Sequence, residues 1–325
     1  MRSLSKIFLL AFAVMIFGSA GPSHGMDFPI ASPLERFEKR LDEVEGYLDI
    51  AAKKKGVENQ MRYLDRSGIR DVLTELQNLF WLYSKRYGRF RRFRDVMKDL
   101  EDHISHLGDY KKYLRYAEQV DADTEQRYKE KLDHEISLYR NYLKNSDWLK
   151  PGHPLIRRIR EELRKTDWPS LEADRNYLLK RVAKKLKKMH REEYDFNLVE
   201  EGWHELRRDV RRFEYLNDAM DGLVTPSPDI ACPLGGPVNG RKKDRARKQD
   251  AYNCHVAPCL VKKLSQADDE LLELKKAGAW HEASGKDIPP GMYERVKKIH
   301  TELIESKVYL HLASQLKDCR TAEAR

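Results

Sequence analysis

The stretch Trp203–Leu216 reads WHELRRDVRRFEYL, and the spacing of its residues decides how the rest of the chain is read. Placed on a helix with His204 at the origin, Arg207, Arg208, Arg211 and Tyr215 fall within about 60° of it, and Arg212 near about 80°. Leu206, Val210 and Phe213 gather on the opposite side. One face suits a hydrophobic core, and the other concentrates positive charge that needs solvent or an anion. The pattern predicts an amphipathic helix from about Phe196 to Asp221.

The same period recurs along the chain. Leu34, Phe37, Leu41, Val44 and Leu48 predict a helix from Pro33 to about Lys55. Ile69, Val72, Leu73, Leu76, Leu79 and Phe80 predict another from about Ser67 to Tyr87. Gly88 separates it from a third over Phe90–Leu107, and a fourth covers Asp109–Leu143. NSDWLKPGHP, Asn145–Pro154, is the best boundary because Pro and Gly interrupt helices there. Beyond it come a short helix over Leu155–Arg164, a helix beginning in TDWPSLEAD and running to Tyr194, and the opening stretch. Helices resume over Ala257–Lys276 and Pro290–Leu316, after an irregular insert at 222–253. No convincing strand pair is found. The expected fold class is all-α, with a first helical bundle at 26–148 and a second at 149–325.

Residues 1–25 read as a signal peptide: MRSLSK is positive, IFLLAFAVMIF is apolar, and GSAGPSHG offers small-residue cleavage sites. The apolar run is shorter than the roughly 20 residues that span a bilayer, and no later run is apolar enough. The chain is therefore expected to be exported, without a transmembrane segment after cleavage. Cys232, Cys254, Cys259 and Cys319 lie in the last third and permit two disulfides in any of three pairings. Free buried thiols are the alternative. Cys254, His255 and Cys259 have metal-ligand residue types but lack a second clear pair, so no metal site or cofactor is expected.

The formal charge is +9, and subtracting Arg2 and Lys6 of the first 25 residues leaves +7. The excess is modest, so clustering carries more information than the total. Lys180–Arg191 contains seven basic residues and no acidic one. Lys180, Lys184, Lys187 and Arg191 share one helix face with Lys188 just beyond, opposite Leu178, Val182, Leu186 and Met189. A third basic concentration places Arg91, Arg94 and Lys98 opposite Phe90, Phe93, Met97 and Leu100, with Asp95 among them. Charge runs on helices are ordinarily solvated faces, but those mix signs, as Asp109–Lys144 does. Like charges packed on one face cost free energy unless an anion offsets them. Arg supplies bidentate donors to phosphate, Lys a mobile charge, and His or Tyr a further hydrogen bond. Rows of such groups suit a linear polyanion. Nucleic acid fits less well, because base stacking needs aromatics among the cations and here most aromatics fall on core faces.

His204-x-x-Arg207-Arg208-x-x-Arg211-Arg212-x-x-Tyr215 resembles the signature helix of CHAD domains, the conserved-histidine α-helical domains. Arg94-Asp95-Val96 resembles an element of that family's first half, and Leu264–Leu274 more weakly its counterpart in the second. Glu214 stands where the family has another basic residue, the first half lacks a clear H-x-x-R helix, and the insert interrupts the second. The resemblance implies two four-helix bundles with approximate internal two-fold symmetry, a central basic surface, and binding of inorganic polyphosphate without catalysis. The alternative function is a helical envelope scaffold or adaptor that meets anionic lipid, glycan phosphate or a protein partner. His204-Glu205 and His281-Glu282 begin like a zinc-protease motif, but Arg208 and Gly285 stand where its second His belongs. No nucleophile elbow, phosphate loop or dinucleotide fingerprint occurs, so no enzyme is expected. A cationic surrounding should lower the pKa of His204, and bound polyphosphate should raise it, tightening binding below about pH 6.5.

Overall fold

Ser32 starts the first helix: its hydroxyl accepts from the Glu35 amide, and the Glu35 carboxylate accepts from the Ser32 amide at 2.6 Å. This reciprocal cap satisfies two of the donors that a helix start leaves open. The computed structural model describes residues 31–235 and 253–321. The expected signal peptide and the basic run Arg241–Lys248 of the insert lie outside the described residues.

From that cap, α1 spans Pro33–Ala52 and buries the expected stripe of Phe37, Leu41, Val44 and Leu48. A short helix that periodicity missed, α2 at Val57–Arg66, follows; it buries only Met61 and Leu64, too few for a readable pattern. Helix α3 covers Ile69–Tyr83. Helix α4 runs from Phe90 to Ala117 without the break expected between Leu107 and Asp109. One interior glycine, Gly108, costs about 1 kcal/mol, while Met97, Leu100, Ile104 and Leu107 keep the stripe buried across it. The true break lies at Asp121, whose carboxylate caps α5, Ala122–Asn145, by accepting from the Thr124 amide at 2.7 Å.

Helix α6, Pro154–Arg164, and α7, Leu171–Met189, come next. Ser170, within the expected start TDWPSLEAD, caps α7 by accepting from the Ala173 amide, and α7 stops at Met189, short of the expected Tyr194. A π-helical turn at Val199–Trp203 leads into α8, His204–Ala219. Two three-residue strands, β1 at Val224–Pro226 and β2 at Cys254–Val256, then pair in parallel, correcting the expectation of no strands. Three residues are too short for alternation to show in sequence. Helix α9 spans Pro258–Ala283, longer than expected. The last expected helix splits into α10, Pro290–Glu305, and α11, Val308–Thr321, at Lys307, where φ is 52°.

The described residues form an all-α protein whose buried apolar side chains make one continuous cluster. Helix α3 packs on α1 and α4, and α4 on α5; later in the chain, α7 packs on α11 and α8 on α9. Contacts of α3 with α8 and of α4 with α9 join the two groups. The boundary after residue 148 is bridged by α6, which packs on α1: Arg160 reaches Glu38 at 3.0 Å and Glu45 at 2.9 Å. A buried cluster ties α1, α3 and α7 together. Arg36 meets Asp174 at 2.6 Å, and the Tyr83 hydroxyl donates to the other Asp174 oxygen at 2.7 Å.

All four cysteines form disulfides, Cys232 with Cys259 and Cys254 with Cys319. They staple the ends of the insert to α9 and α11. Two such bonds suit an oxidising compartment. No helix among the described residues is long and apolar enough to cross a membrane.

Candidate anion-binding surface

Leu206, Val210, Phe213 and Leu216 are buried, as the spacing of α8 requires, and so its basic side turns away from the core. The approach of α9 completes this side. At Gly278 a Cβ would lie 2.7 Å from the Trp203 ring and 3.1 Å from Val199, so only glycine lets α9 come this close to the π-helical turn that leads into α8. Along the same helix, Asp268 and Lys275 lie against α8.

Most α8 cations meet a carboxylate. Asp268 is shared by Arg207, at 2.9 Å, and Arg211, at 3.5 Å. Arg208 pairs with Glu205 on its own helix. Arg212 donates to Asn78 of α3 at 3.3 Å and lies 3.9 Å from Asp209. The Arg211 guanidinium covers the Tyr215 ring at 4.5 Å. Burial raises the Tyr215 pKa against the pull of Arg211, Arg207 and Arg70, so its phenol stays a donor at neutral pH. Glu214 is exposed.

The Lys275 ammonium donates to His204 Nδ1, which leaves the proton of the neutral imidazole on Nε2. Burial, then Lys275 and Arg208, lower the His204 pKa from 6.5 to about 4. The sign matches the sequence reading, but burial is the larger cause. An NMR titration of the free protein should give His204 a midpoint near 4, and a midpoint near 6.5 would contradict this environment. Unfolded His204 binds its proton near 6.5, so its contribution to stability is complete above that pH and declines as pH falls towards 4. A phosphate ligand raises the bound-state pKa. The resulting gain in affinity builds as pH falls through that bound-state value and levels off near 4.

Helix α4 adds Lys112. Burial and the charges of Lys275, Lys276 and Arg115 push its ammonium below the ordinary lysine range, despite Asp109. Sequence reasoning missed Lys112, Lys275 and Asp268, because they belong to other helices and only packing brings them to α8.

The α7 row differs from α8 in its pairing. Lys180, Lys184, Lys187 and Lys188 are exposed on α7, and Arg191, also exposed, lies two residues past its end. Lys188 pairs with Glu192 at 3.2 Å. Among the described residues, no ion pair is made by Lys180, Lys184, Lys187 or Arg191. Lys184, Lys187, Lys188 and Arg191, with Glu192 and Glu193, line an open depression of about 680 Å³. The two helices are joined through Lys185, whose ammonium meets Asp209 at 3.1 Å and feels the charges of both Arg212 and Lys188.

The third expected patch is not drawn into this surface. Arg94 pairs with Asp95 at 2.6 Å and Lys98 pairs with Asp102, both on α4 itself. No ion pair or hydrogen bond links Arg91, Arg94 or Lys98 to α7 or α8 among the described residues. Nor do the described residues hold a group of three His, Cys, Asp or Glu side chains arranged for a metal.

No protein-family model, curated protein or solved structure matches the chain. The likeness of α8 to the CHAD signature therefore rests on its own residues and their surroundings.

Proposed function

We propose that this is an exported, non-catalytic protein that binds a linear phosphate polymer, inorganic polyphosphate, along α7 and α8. On this reading the chain is a divergent CHAD domain of two four-helix bundles with approximate two-fold symmetry. The observation that carries it is the α7 row: Lys180, Lys184 and Lys187 exposed on α7 and Arg191 exposed two residues past its end, with no carboxylate partner among the described residues. From Lys180 to Lys187 the helix rises about 10 Å, and Arg191 follows two residues past the end of α7. A row of that length matches a chain of phosphates better than one small anion. The Lys185–Asp209 bridge links the row to Arg212, which lies 3.9 Å from the same carboxylate. Disulfides in both cysteine pairs support an exported location.

One observation favours the runner-up, contact with an anionic lipid surface. Leu171, at the start of α7, and Leu198, just before the π-helical turn that leads into α8, are 39% and 43% exposed. A ligand panel separates the two readings: equal phosphate concentrations of long-chain polyphosphate, single-stranded DNA, and phosphatidylglycerol vesicles, each titrated into the mature protein. Polyphosphate should bind at least about tenfold more tightly than either competitor, a gap of about 1.4 kcal/mol. Preference for vesicles would replace the polyphosphate reading with the lipid one.

A further inference from the structure

We propose that Asp268 is a built-in competitor for the polyanion, holding the Arg207 and Arg211 guanidiniums in place of a phosphate until ligand displaces it. This inference rests on the polyphosphate reading above. One carboxylate serves two arginines from a different helix, at 2.9 Å and 3.5 Å. Its grip is loose. The hydrogen bond with aligned geometry is the Arg207 Nη2 donation to Oδ2, and it is long, at 3.5 Å. Asp268 Oδ1 and the Nε atoms of Arg207 and Arg211 are buried without an aligned partner. Ion pairs in such geometry recover little of the cost of taking the charges out of water.

The charges around Asp268 point the same way. Burial raises its pKa in spite of both arginines, and the Glu214 charge raises it further. An ionised carboxylate disfavoured where it sits gives up little on moving into solvent. A polyphosphate segment brings several oxygens, so it can bond both guanidiniums in the bidentate fashion that one shared carboxylate cannot. Asp268 also sets selectivity: a monovalent anion would exchange one charge for another, whereas a polymer adds charge on every unit that follows.

The test compares wild type, Asp268→Asn and Glu270→Gln by titration with long-chain polyphosphate at fixed salt. Glu270 lies on the same helix and pairs with Arg295, away from α8, so it controls for the gain of one positive charge. Asp268→Asn keeps the shape and an oxygen that accepts from Arg207. It should bind about tenfold more tightly than wild type, while Glu270→Gln gains less than about twofold. Equal gains in the two variants, or weaker binding by Asp268→Asn, would overturn the proposal and make Asp268 an orienting group for its arginines. Asp268→Ser is the second variant, and circular dichroism melts report whether each folds. Unfolding of both would also overturn the proposal, since a charge that ligand displaces cannot be one the fold requires. If wild type and every variant fail to bind polyphosphate, the functional reading falls as well; binding by wild type alone leaves that reading intact.

Discussion

Replacing Lys180, Lys184, Lys187 and Arg191 together by Gln should lower affinity for long-chain polyphosphate by about 100-fold or more. Each exposed cation near a polyanionic surface contributes about 1 kcal/mol at moderate salt, so four supply about 4 kcal/mol. Partial adjustment of the chain reduces that, and the surviving loss of about 3 kcal/mol is still about 100-fold. The variant should fold as well as wild type, because these side chains are exposed and make no ion pair among the described residues. Relief of like-charge repulsion along one face is expected to stabilise α7 slightly. Fluorescence anisotropy with labelled polyphosphate measures the loss, and a melt checks the fold. A change of less than about threefold would mean that the row is a solvated face.

Removing one partner of the Arg36–Asp174 pair should destabilise the protein by about 3–5 kcal/mol. Arg36 and Asp174 are 1% and 0% exposed, so losing either leaves the other charge buried without its nearest counter-ion, although Arg36 still has Asp221 at 3.7 Å. Their contact is long in sequence but short in space, and it fastens α1 to α7 with Tyr83 of α3 as the third member. Burial raises the Asp174 pKa even though Arg36 and the Tyr83 hydrogen bond lower it. The pair therefore specifies how the helices meet more than it adds to net stability. Urea unfolding of Arg36→Met and of Asp174→Asn should each show the full loss, and the double variant Arg36→Met/Asp174→Leu should recover part of it. Single-variant losses below about 1 kcal/mol would show that water or another group already shares the charge.

Much of α8 was legible in sequence because its two faces are both local patterns. Leu206, Val210 and Phe213 are buried where a helical period places them, and the arginines emerge on the other side. What the arginines meet was not legible. Asp268 lies 61 residues from Arg207, and Asn78 lies 134 from Arg212. No local spacing encodes such partners. The α7 row was legible for the opposite reason, since its property is a lack of acid within its own turns. Helix α2 and the strand pair β1–β2 escaped because each is too short to show a period. The break expected between Leu107 and Asp109 does not occur, because Ile104 and Leu107 keep the apolar stripe buried up to Gly108 and the helix continues through it.

The central claim, that cations of α7 and α8 hold a phosphate chain, is tested most directly by the salt dependence of polyphosphate affinity for the mature wild-type protein. Each phosphate contact releases counterions and contributes about −0.7 to the slope of log K against log salt for a single-stranded polyanion. Four contacts along α7 alone predict a slope of about −3 or steeper. A slope between zero and about −1, with measurable binding, would contradict the account, because one contact or none would then suffice to hold the ligand.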